Sequence, residues 1–208
     1  MIPAERRSEY KRKPREERWS ELLNVAAQVI YEKGYQAASL QEISDRLGIM
    51  KGSLYYYIRS KEDILFAVLQ NIHEMGLANV TSLAAEGGTA VERLRRVIRG
   101  HILFIAEHLV DTTIFLHEMK ALPADRQREI LGGATSYPKL FRQLIAEGQA
   151  EGGIRRSLDT ELTATIVLGS LNSTYRWMRA GDMEAAERIG AHFGEILISG
   201  LVAEEHAP

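Results

Sequence analysis

Residues 34–63 read GYQAASLQEISDRLGIMKGSLYYYIRSKED, and this stretch decides the fold. Ser39 and Glu42 have the spacing of a capping box, in which each residue's side chain bonds the other's backbone N–H at a helix start. Gly34 lies before this start and Gly48 after the apolar residues that follow it. Glycine is the residue that most easily takes the left-handed conformation at a helix end. The pattern predicts a helix that ends at Gly34, a short second helix, and a tight turn at Gly48.

The residues after this turn predict another short helix, Lys51–Ile58. Leu54 and Ile58 are spaced to anchor it to a core, which leaves its other face to Gly52 and three consecutive tyrosines. The alternative is an aromatic core. At about 100° per residue, however, three consecutive side chains cannot all point inward from so short a helix. Two short helices joined by a tight turn have the proportions of a helix-turn-helix, whose second helix enters the major groove of DNA.

The rest of the chain also has helical periodicity, with apolar residues three and four apart and few prolines. Ser60 and Asp63 predict a second capping box, which opens a long helix. The fold class is therefore all-α: an N-terminal three-helix helix-turn-helix domain followed by a larger helical domain. The expected helices are 15–33, 39–47, 51–58, a long helix from 60, 89–108, 110–120, 124–151 with a break near Pro138, 159–180 and 183–202.

Composition excludes several classes of protein. The 208 residues contain no cysteine, which rules out disulfides and thiol catalysis. No apolar run approaches the roughly 20 residues that span a bilayer, and the charged N-terminus is unlike a signal peptide. We find no glycine-rich phosphate loop after a strand, no nucleophile elbow and no metalloprotease motif. We therefore expect a cytoplasmic protein that is not an enzyme and needs no cofactor.

Residues 18–66 resemble the DNA-binding domain of the tetracycline-repressor (TetR) family. The resemblance is carried by Gly34-Tyr35, Ser39-Leu40-Gln41-Glu42-Ile43-Ser44, Gly48-Ile49-Met50-Lys51-Gly52-Ser53-Leu54-Tyr55-Tyr56-Tyr57 and Ser60-Lys61-Glu62. It implies base contacts by Lys51, Gly52, Ser53 and Tyr55, and backbone or phosphate contacts by Ser39, Tyr56, Tyr57 and Lys61. The sequence departs from the common family pattern at Met50, Tyr57 and Ile58, so base preference does not transfer from relatives.

Residues 1–14 are expected to be a flexible basic arm. The whole chain has a formal net charge of −2, yet residues 1–63 contain 12 Lys and Arg against 10 Asp and Glu. The arm either reaches the adjacent minor groove or is a solvated tail, and the sequence supports both interpretations equally. The predicted domains are then 15–63 for DNA binding and 64–208 for ligand binding and dimerisation.

In this family the last two helices pair with those of a second copy. The apolar stripes of the two C-terminal helices fit such a homodimer. The predicted dimerisation residues are Ile166, Ser170, Ile189, Phe193, Ile196 and Leu197.

An internal cavity for a small-molecule effector is predicted from aromatic and polar residues of the second domain. These candidates are His101, Phe104, Phe115, His117, Phe141, Asn172, Tyr175, Arg176 and Trp177. For any one of them, ordinary core or interface packing is the competing explanation. His101 and His108, seven residues apart, also permit a metal site with Glu107 or Asp111, but further ligands would be needed.

A second resemblance suggests the class of effector. Leu122-Pro123, Glu147–Gly152 and Leu171–Trp177 are similar to TetR-family repressors of fatty-acid, steroid or aromatic-acid degradation, which sense acyl-CoA thioesters. This implies a transcriptional repressor released from a palindromic operator by an acyl-CoA, with Arg176 as a candidate contact to phosphate or carboxylate. The alternatives are an efflux-pump repressor that senses hydrophobic drugs and a helical adaptor. A lining of Arg and His would favour the acyl-CoA, and one of Asp, Glu and aromatics the drugs.

Overall fold

A computed structural model describes residues 14–132 and 136–203. The described residues are almost all helical, as predicted. The predicted arm, residues 1–14, lies outside them except for Pro14, which precedes the first helix. The helices are α1 (Arg15–Ala37), α2 (Leu40–Arg46), α3 (Lys51–Leu54), α4 (Lys61–Ala85), α5 (Ala90–Glu107), α6 (Leu109–Glu118), α7 (Ala124–Leu131), α8 (Tyr137–Ala150), α9 (Thr160–Ser173) and α10 (Met183–Leu201).

The chain divides into two compact units, residues 1–68 and 69–208. In the first unit, α1 buries one apolar face, and α2, α3 and the start of α4 contribute further fully buried residues. Its core includes Leu22, Ala26, Ile43, Leu54 and Ile64. Burial of this kind stabilises by about 25 cal/mol per Å² of apolar surface removed from water, which holds the short helices α2 and α3 in place.

The turns of the first unit follow the glycine and capping pattern. Gly34 and Gly48 have φ values of 77° and 66°, a conformation that strains any residue with a Cβ. Ser60 and Asp63 form the predicted reciprocal box, with N–O distances of 2.9 and 3.1 Å. Ser39 forms only half of its box.

At Ser39 the hydroxyl accepts from the backbone N–H of Glu42 at 3.2 Å. The Glu42 carboxylate does not complete the box. It pairs instead with Lys33 at 2.7 Å and Arg46 at 3.0 Å, and these two cations lower the pKa of Glu42. The prediction of a reciprocal box here was wrong because two nearby cations compete for the same carboxylate.

The predicted helix 51–58 is shorter in the structure. Regular helix ends at Leu54, and residues 55–57 form a turn whose N–H groups bond Ser53 and Leu54. Met50 precedes α3 without a side-chain cap. The sequence pattern located the apolar anchors correctly but overestimated the regular helix by one turn.

In the second unit, α5 is buried along one side and packs closely against α10. A Cβ added at Gly190 would lie 3.3 Å from the backbone of Arg99, so glycine permits this approach. A core cluster draws Ile98 and Ile102 of α5 together with residues of α4, α8, α9 and α10. The α5–α10 pair therefore forms the framework around which the other helices pack.

Two boundaries in the second unit differ in how well the sequence predicted them. The expected break near Pro138 is present: α7 ends at Leu131 and Pro138 lies in the first turn of α8, where its missing N–H is tolerated. The expected helix 159–180 ends early, since α9 stops at Ser173 and a 3-10 turn, Thr174–Arg176, follows.

Within the described ranges no helix is both long enough and apolar enough to cross a membrane.

Candidate DNA-reading surface and effector cavity

The face of α3 predicted to read DNA is exposed in the structure. Lys51, Gly52 and Ser53 are open to solvent, and Tyr56 is 82% exposed. Leu54, by contrast, is fully buried and holds the segment to the core. Packing among the described residues therefore gives no reason for this tyrosine-rich surface.

The three tyrosines differ in environment. Tyr55 is 52% exposed, and Tyr57 is half-buried. The rings of Tyr56 and Tyr57 meet edge to face with centroids 5.9 Å apart. The aromatic-core alternative therefore fails.

Gly52 leaves the leading edge of α3 bare. A Cβ built at this glycine meets no heavy atom of the described chain within 4 Å, and its backbone is not in the left-handed region. Neither crowding among the described residues nor backbone conformation therefore requires glycine at this position.

A shallow cleft extends this surface from α3 to α1. It is lined by Gly52, Ser53, Tyr56 and Tyr57 together with Arg15 and Arg18. Sequence reasoning counted these two arginines only toward the basic N-terminus. Their spacing of three on a helix was the signal that they share a face.

Ser39 lies immediately before α2 and Lys61 is the first residue of α4, so neither residue belongs to α3. The Nζ of Lys61 donates to the carbonyl of Gln36 at 2.8 Å and lies 4.5 Å from the ring centroid of Tyr35. This contact positions the Lys61 ammonium at the start of α4. The Ser39 hydroxyl, which accepts from the backbone N–H of Glu42, also carries a proton that it can donate.

The second unit contains a cavity of about 240 Å³. Its described lining consists of Ile72, His73, His101, Phe104, Ile105, Thr112, Phe115, Leu116, Leu131, Ser136, Tyr137, Pro138, Leu168 and Asn172. Four of the predicted ligand residues are among them: His101, Phe104, Phe115 and Asn172. None of these described lining residues is charged, which makes the cavity apolar with a few neutral hydrogen-bonding groups.

His101 is a buried polar residue of this lining. Its Nε2 lies 3.0 Å from Oδ1 of Asn172. Burial lowers the pKa of His101 to about 4, against an opposing effect of the Asn172 hydrogen bond. The imidazole is therefore neutral at physiological pH. Its Nδ1 and the Oγ1 of Thr112 are buried without a hydrogen-bond partner among the described residues.

An aromatic group forms part of the wall. Tyr137 meets His101 edge-on with centroids 5.4 Å apart, and His73 stacks on Phe115 at 5.6 Å. Burial also lowers the pKa of His73 and raises that of Tyr137. Gly76 makes room for this group, because an added Cβ would lie 2.2 Å from the Tyr137 hydroxyl.

Sequence reasoning missed several of these lining residues. His73 and Thr112 were not among the candidates. The signal available for His73 was a lone histidine on the long α4 helix, which is not specific without the fold.

The other five predicted ligand residues do not line this cavity. Phe141 is fully buried in the core cluster. His117 and Tyr175 form a 2.6 Å hydrogen bond outside the cavity lining, and Arg176 donates to the same hydroxyl at 3.2 Å. Trp177 is more than half exposed and lies against Phe193.

The histidine pair considered for a metal ion does not come together with further ligands. His101 faces Asn172, while the ring of His108 lies 4.5 Å from that of Phe104. In the part of the chain described here, no group of three or more potential ligand side chains is close enough to hold a metal ion.

The predicted dimerisation residues lie on α9 and α10. Ile166 and Ile196 are exposed by 56% and 59%, and both line a shallow groove with Val167 and Leu197. Leu162 is exposed on the same helix as Ile166. Ser170, Ile189 and Phe193 are half-buried. This face presents large apolar side chains that the described chain leaves uncovered.

Comparison with known proteins identifies the class to which this fold and surface belong. A family model described as "Bacterial regulatory proteins, tetR family" matches residues 22–68. A second, "Tetracyclin repressor-like, C-terminal domain", matches residues 87–201. The chain belongs to the TetR family of bacterial regulatory proteins.

Three relatives span nearly the whole chain. The transcriptional repressor KstR2 of Mycobacterium tuberculosis is 25% identical over 188 residues, covering 90% of this chain and 94% of that protein. Its structure, described as a ketosteroid transcriptional regulator, superposes with a TM-score of 0.81, 26% identity, and coverage of 90% and 96%. The fatty acid metabolism regulator protein of Bacillus subtilis is 25% identical, with coverage of 91% and 98%. AibR in complex with isovaleryl coenzyme A and operator DNA superposes with a TM-score of 0.77, 26% identity, and coverage of 87% and 98%.

Proposed function

We propose that the protein is a homodimeric transcriptional repressor that binds a palindromic operator and is released by an acyl-CoA thioester. The observation that carries this proposal is the uncharged described lining of the cavity, in a chain that resembles, over 87% of its length, a regulator bound to isovaleryl coenzyme A and operator DNA. Since such a repressor acts on the chromosome, we place its action in the cytoplasm. It regulates by binding and catalyses no reaction.

The DNA-binding half of the proposal rests on the surface of α3. Tyr56 is exposed beside the bare backbone of Gly52, with Arg15 and Arg18 in the same cleft. Arginine and tyrosine suit phosphate contacts, which position a protein on the duplex, while Lys51 and Ser53 face where base edges would lie. For Lys51, Ser53 and Tyr56 the proposed roles are those that the family resemblance implied from the sequence.

The ligand half rests on the cavity. Apolar walls with a few neutral polar groups suit an acyl chain or a steroid-like ring system. At about 240 Å³, the cavity is below the usual range for whole drug-sized ligands. We therefore propose that only the acyl part is enclosed. The phosphates would remain outside, where Arg176 and other exposed cations are available.

The efflux-repressor alternative is less well supported. A hydrophobic cation entering a dry cavity needs a carboxylate partner, because an unpaired buried charge is very costly. The described lining has none. The described lining contains no arginine either. Arginine together with histidine was the lining expected to favour an acyl-CoA, and of these two residue types only histidine is present.

Release requires the effector to favour a conformation that binds DNA poorly, since equal affinity for both conformations shifts nothing. Helix α4 is the element that we propose responds. It begins at Lys61, a predicted phosphate contact, and continues to Ile72 and His73 in the cavity lining.

The test is a release assay with the full chain on an operator found by selection from random duplexes. Octanoyl-CoA and isovaleryl-CoA, the matched free acids and tetraphenylphosphonium, a hydrophobic cation that does not intercalate into DNA, are each titrated against the bound complex. We expect the thioesters alone to release the protein. Release by the cation alone would replace this proposal with the efflux function.

A pair of matched variants ties release to the cavity. Leu168→Phe narrows the cavity, and the added ring should clash with the acyl chain. The concentration of octanoyl-CoA needed for release should therefore rise by about tenfold. Leu103→Phe makes the same change on α5 at a half-buried position outside the lining. An equal effect of both variants would show that the thioester acts elsewhere.

A further inference from the structure

The residue immediately before α3 carries a large apolar side chain that the described residues leave uncovered. Met50 is 80% exposed. The other described methionines are better covered: Met75 and Met183 are 40% and 39% exposed, and Met119 and Met178 are half-buried. Methionine is an adaptable apolar residue that usually fills space in a core. Packing among the described residues therefore does not explain a methionine at position 50.

Met50 also occupies a position that usually holds a capping residue. Its backbone is extended, with φ −68° and ψ 140°, and its carbonyl accepts from the N–H of Ser53 at 2.8 Å. Serine, threonine, aspartate and asparagine are preferred at such a position because their side chains bond the backbone at the helix start. Ser39 before α2 and Asp159 before α9 do so, whereas Met50 makes no such bond. At α3 an apolar side chain thus takes the place of a cap.

The side chain of Met50 belongs to the surface that we propose binds DNA. Met50 lines the same shallow cleft as Gly52, Ser53 and Tyr56. In a helix-turn-helix, the N-terminal residues of the second helix contact base edges in the major groove. Lys51 is the first residue of α3, and Met50 directly precedes it. A long side chain at position 50 is therefore within reach of base edges when α3 occupies the groove.

The bases offer an apolar side chain one projecting partner in the major groove. Their edges present hydrogen-bond donors and acceptors, and thymine adds a 5-methyl group. The thioether of methionine has no donor and is only a weak acceptor, so it suits neither the polar groups of the bases nor a phosphate. It can bury a methyl group, and its unbranched chain adjusts to the position of that methyl.

We propose that Met50 is a specificity-determining residue that contacts the 5-methyl group of a pyrimidine in each half-site of the operator. The pyrimidine is thymine in unmodified DNA, and 5-methylcytosine presents the same group. This inference rests on the proposed function in taking α3 as the element that enters the major groove. Because the sequence departs from the common family pattern at Met50, the preference belongs to this chain and not to the family as a whole.

The experiment removes single methyl groups from the DNA and measures binding by the full chain. An operator is selected from random unmodified duplexes, and each thymine of the half-site is replaced in turn by uracil, symmetrically in both half-sites. Uracil keeps the base pairing and lacks only the methyl group. We expect one replacement to lower operator affinity by roughly 15-fold, since one buried methyl group contributes about fourfold in each of two half-sites.

Two variants at position 50 assign that loss to Met50. In Met50→Ser, which can cap α3 but offers little apolar surface, the same replacement should change affinity by less than about twofold. Met50→Leu keeps an apolar side chain of similar size and should retain most of the loss. Because thymine and uracil duplexes are compared on each protein, any general change in phosphate binding by a variant cancels.

The matched control is Met75→Ser, the same substitution on α4 at a residue outside the lining of the cleft, which should show the full loss with uracil. Met50→Ser should melt no lower than the unmodified chain, because the side chain that it removes is 80% exposed. An effect of uracil that persists in Met50→Ser overturns the inference.

A second modification identifies the source of the methyl group. At the responsive position a C·G pair in place of T·A should weaken binding, and 5-methylcytosine in that pair should recover part of the loss. A gain from 5-methylcytosine that requires Met50, with no response to uracil at any thymine, keeps the methyl contact and makes methylated cytosine its source. No response to either modification, or a selected half-site without any thymine and without a gain from 5-methylcytosine, overturns the inference.

The outcomes also separate this inference from the proposed function. If neither modification changes binding while a thioester still releases the chain from its operator, the function stands and the methyl contact fails. If the methyl dependence requires Met50 but no thioester releases the chain, the methyl contact stands and the acyl-CoA function fails. If selection yields no preferred duplex, both fail.

Discussion

The exposed surface of residues 51–57 and the lining of the cavity both contain groups that packing among the described residues does not use, but the environments of these groups are opposite. Tyr56 lies in water, where an unused side chain costs little. Nδ1 of His101 and Oγ1 of Thr112 are buried, where an unused polar atom is unfavourable. Tyr56 can be substituted with little effect on the fold, whereas a change at His101 or Thr112 should alter the stability of the fold. The following predictions test this contrast.

The largest effect is expected at the uncovered face of α9 and α10. Ile196→Asp places a carboxylate on a residue that is 59% exposed, so the fold of one chain should tolerate it. Burial of that charge between two copies should prevent dimerisation. Operator affinity should then fall roughly a thousandfold through loss of two-site binding.

Analytical ultracentrifugation with an operator titration measures both effects. Thr81→Asp, which adds the same charge at an exposed position of α4, is the control and should remain dimeric. A fully dimeric Ile196→Asp protein would place the interface elsewhere.

Acidification should lower the free energy of unfolding through protonation of His101. Its pKa of about 4 lies below the unfolded value of 6.5, so between these values the unfolded chain binds a proton that the native chain does not. Stability therefore rises with pH across this window, and falls by about 3 kcal/mol on going from pH 7 to pH 4. Denaturant melts at several pH values measure it.

The matched variant for this pH effect is His101→Gln, which should flatten that part of the profile. His73, whose pKa is also lowered by burial, contributes in the same direction and is unaffected by the change. Identical pH slopes in the two proteins would show that His101 is accessible to protons in the native state.

At the exposed region, Tyr56→Ala should weaken operator binding about tenfold and leave the melting temperature unchanged. Its loss removes contacts to the DNA backbone, so the effect should be similar on all sequences. Lys51→Ala should instead alter which base pairs are preferred. Gel-shift titrations on the selected operator and on single-base variants distinguish the two. Undiminished binding by Tyr56→Ala would remove this segment from the groove.

The smallest effects concern a pair of glycines. Gly48→Ala should cost about 1 kcal/mol, because φ there is +66°. Gly52→Ala should leave stability unchanged or raise it slightly, since glycine is the weaker helix former. It should nevertheless reduce operator affinity by placing a methyl group at the bare edge of α3. Unchanged affinity would mean that no base comes near residue 52.

The two regions also differ in how far the sequence predicted them. The helix-turn-helix is contiguous, and its capping residues, glycines and anchors such as Leu54 lie within one stretch, so local rules suffice. The family match confirmed it. The residue contacts to DNA remain predictions.

The cavity is assembled from residues of the six helices α4 to α9, which are far apart in sequence. Periodicity identifies which face of each helix is apolar but not which faces meet around an open space. Phe141 and Phe115 read alike as sequence, yet only Phe115 lines the cavity.

The prediction of Tyr175 and Arg176 as lining residues failed for a local reason. A continuous helix 159–180 would place them near the face of Asn172. The 3-10 turn that begins at Thr174 changes the rotation per residue, so Tyr175 instead lies beside His117.

Gly76 has a consequence for how this protein could diverge. A single methyl group at that position would displace the Tyr137 hydroxyl, which lies 2.2 Å from where the new carbon would stand. The ring would have to move, and with it one wall of the effector site, while α3 and its tyrosines stayed the same. One nucleotide change from a glycine to an alanine codon is enough for this. A duplicated gene could thus encode a repressor that responds to a different effector and still binds the original operator.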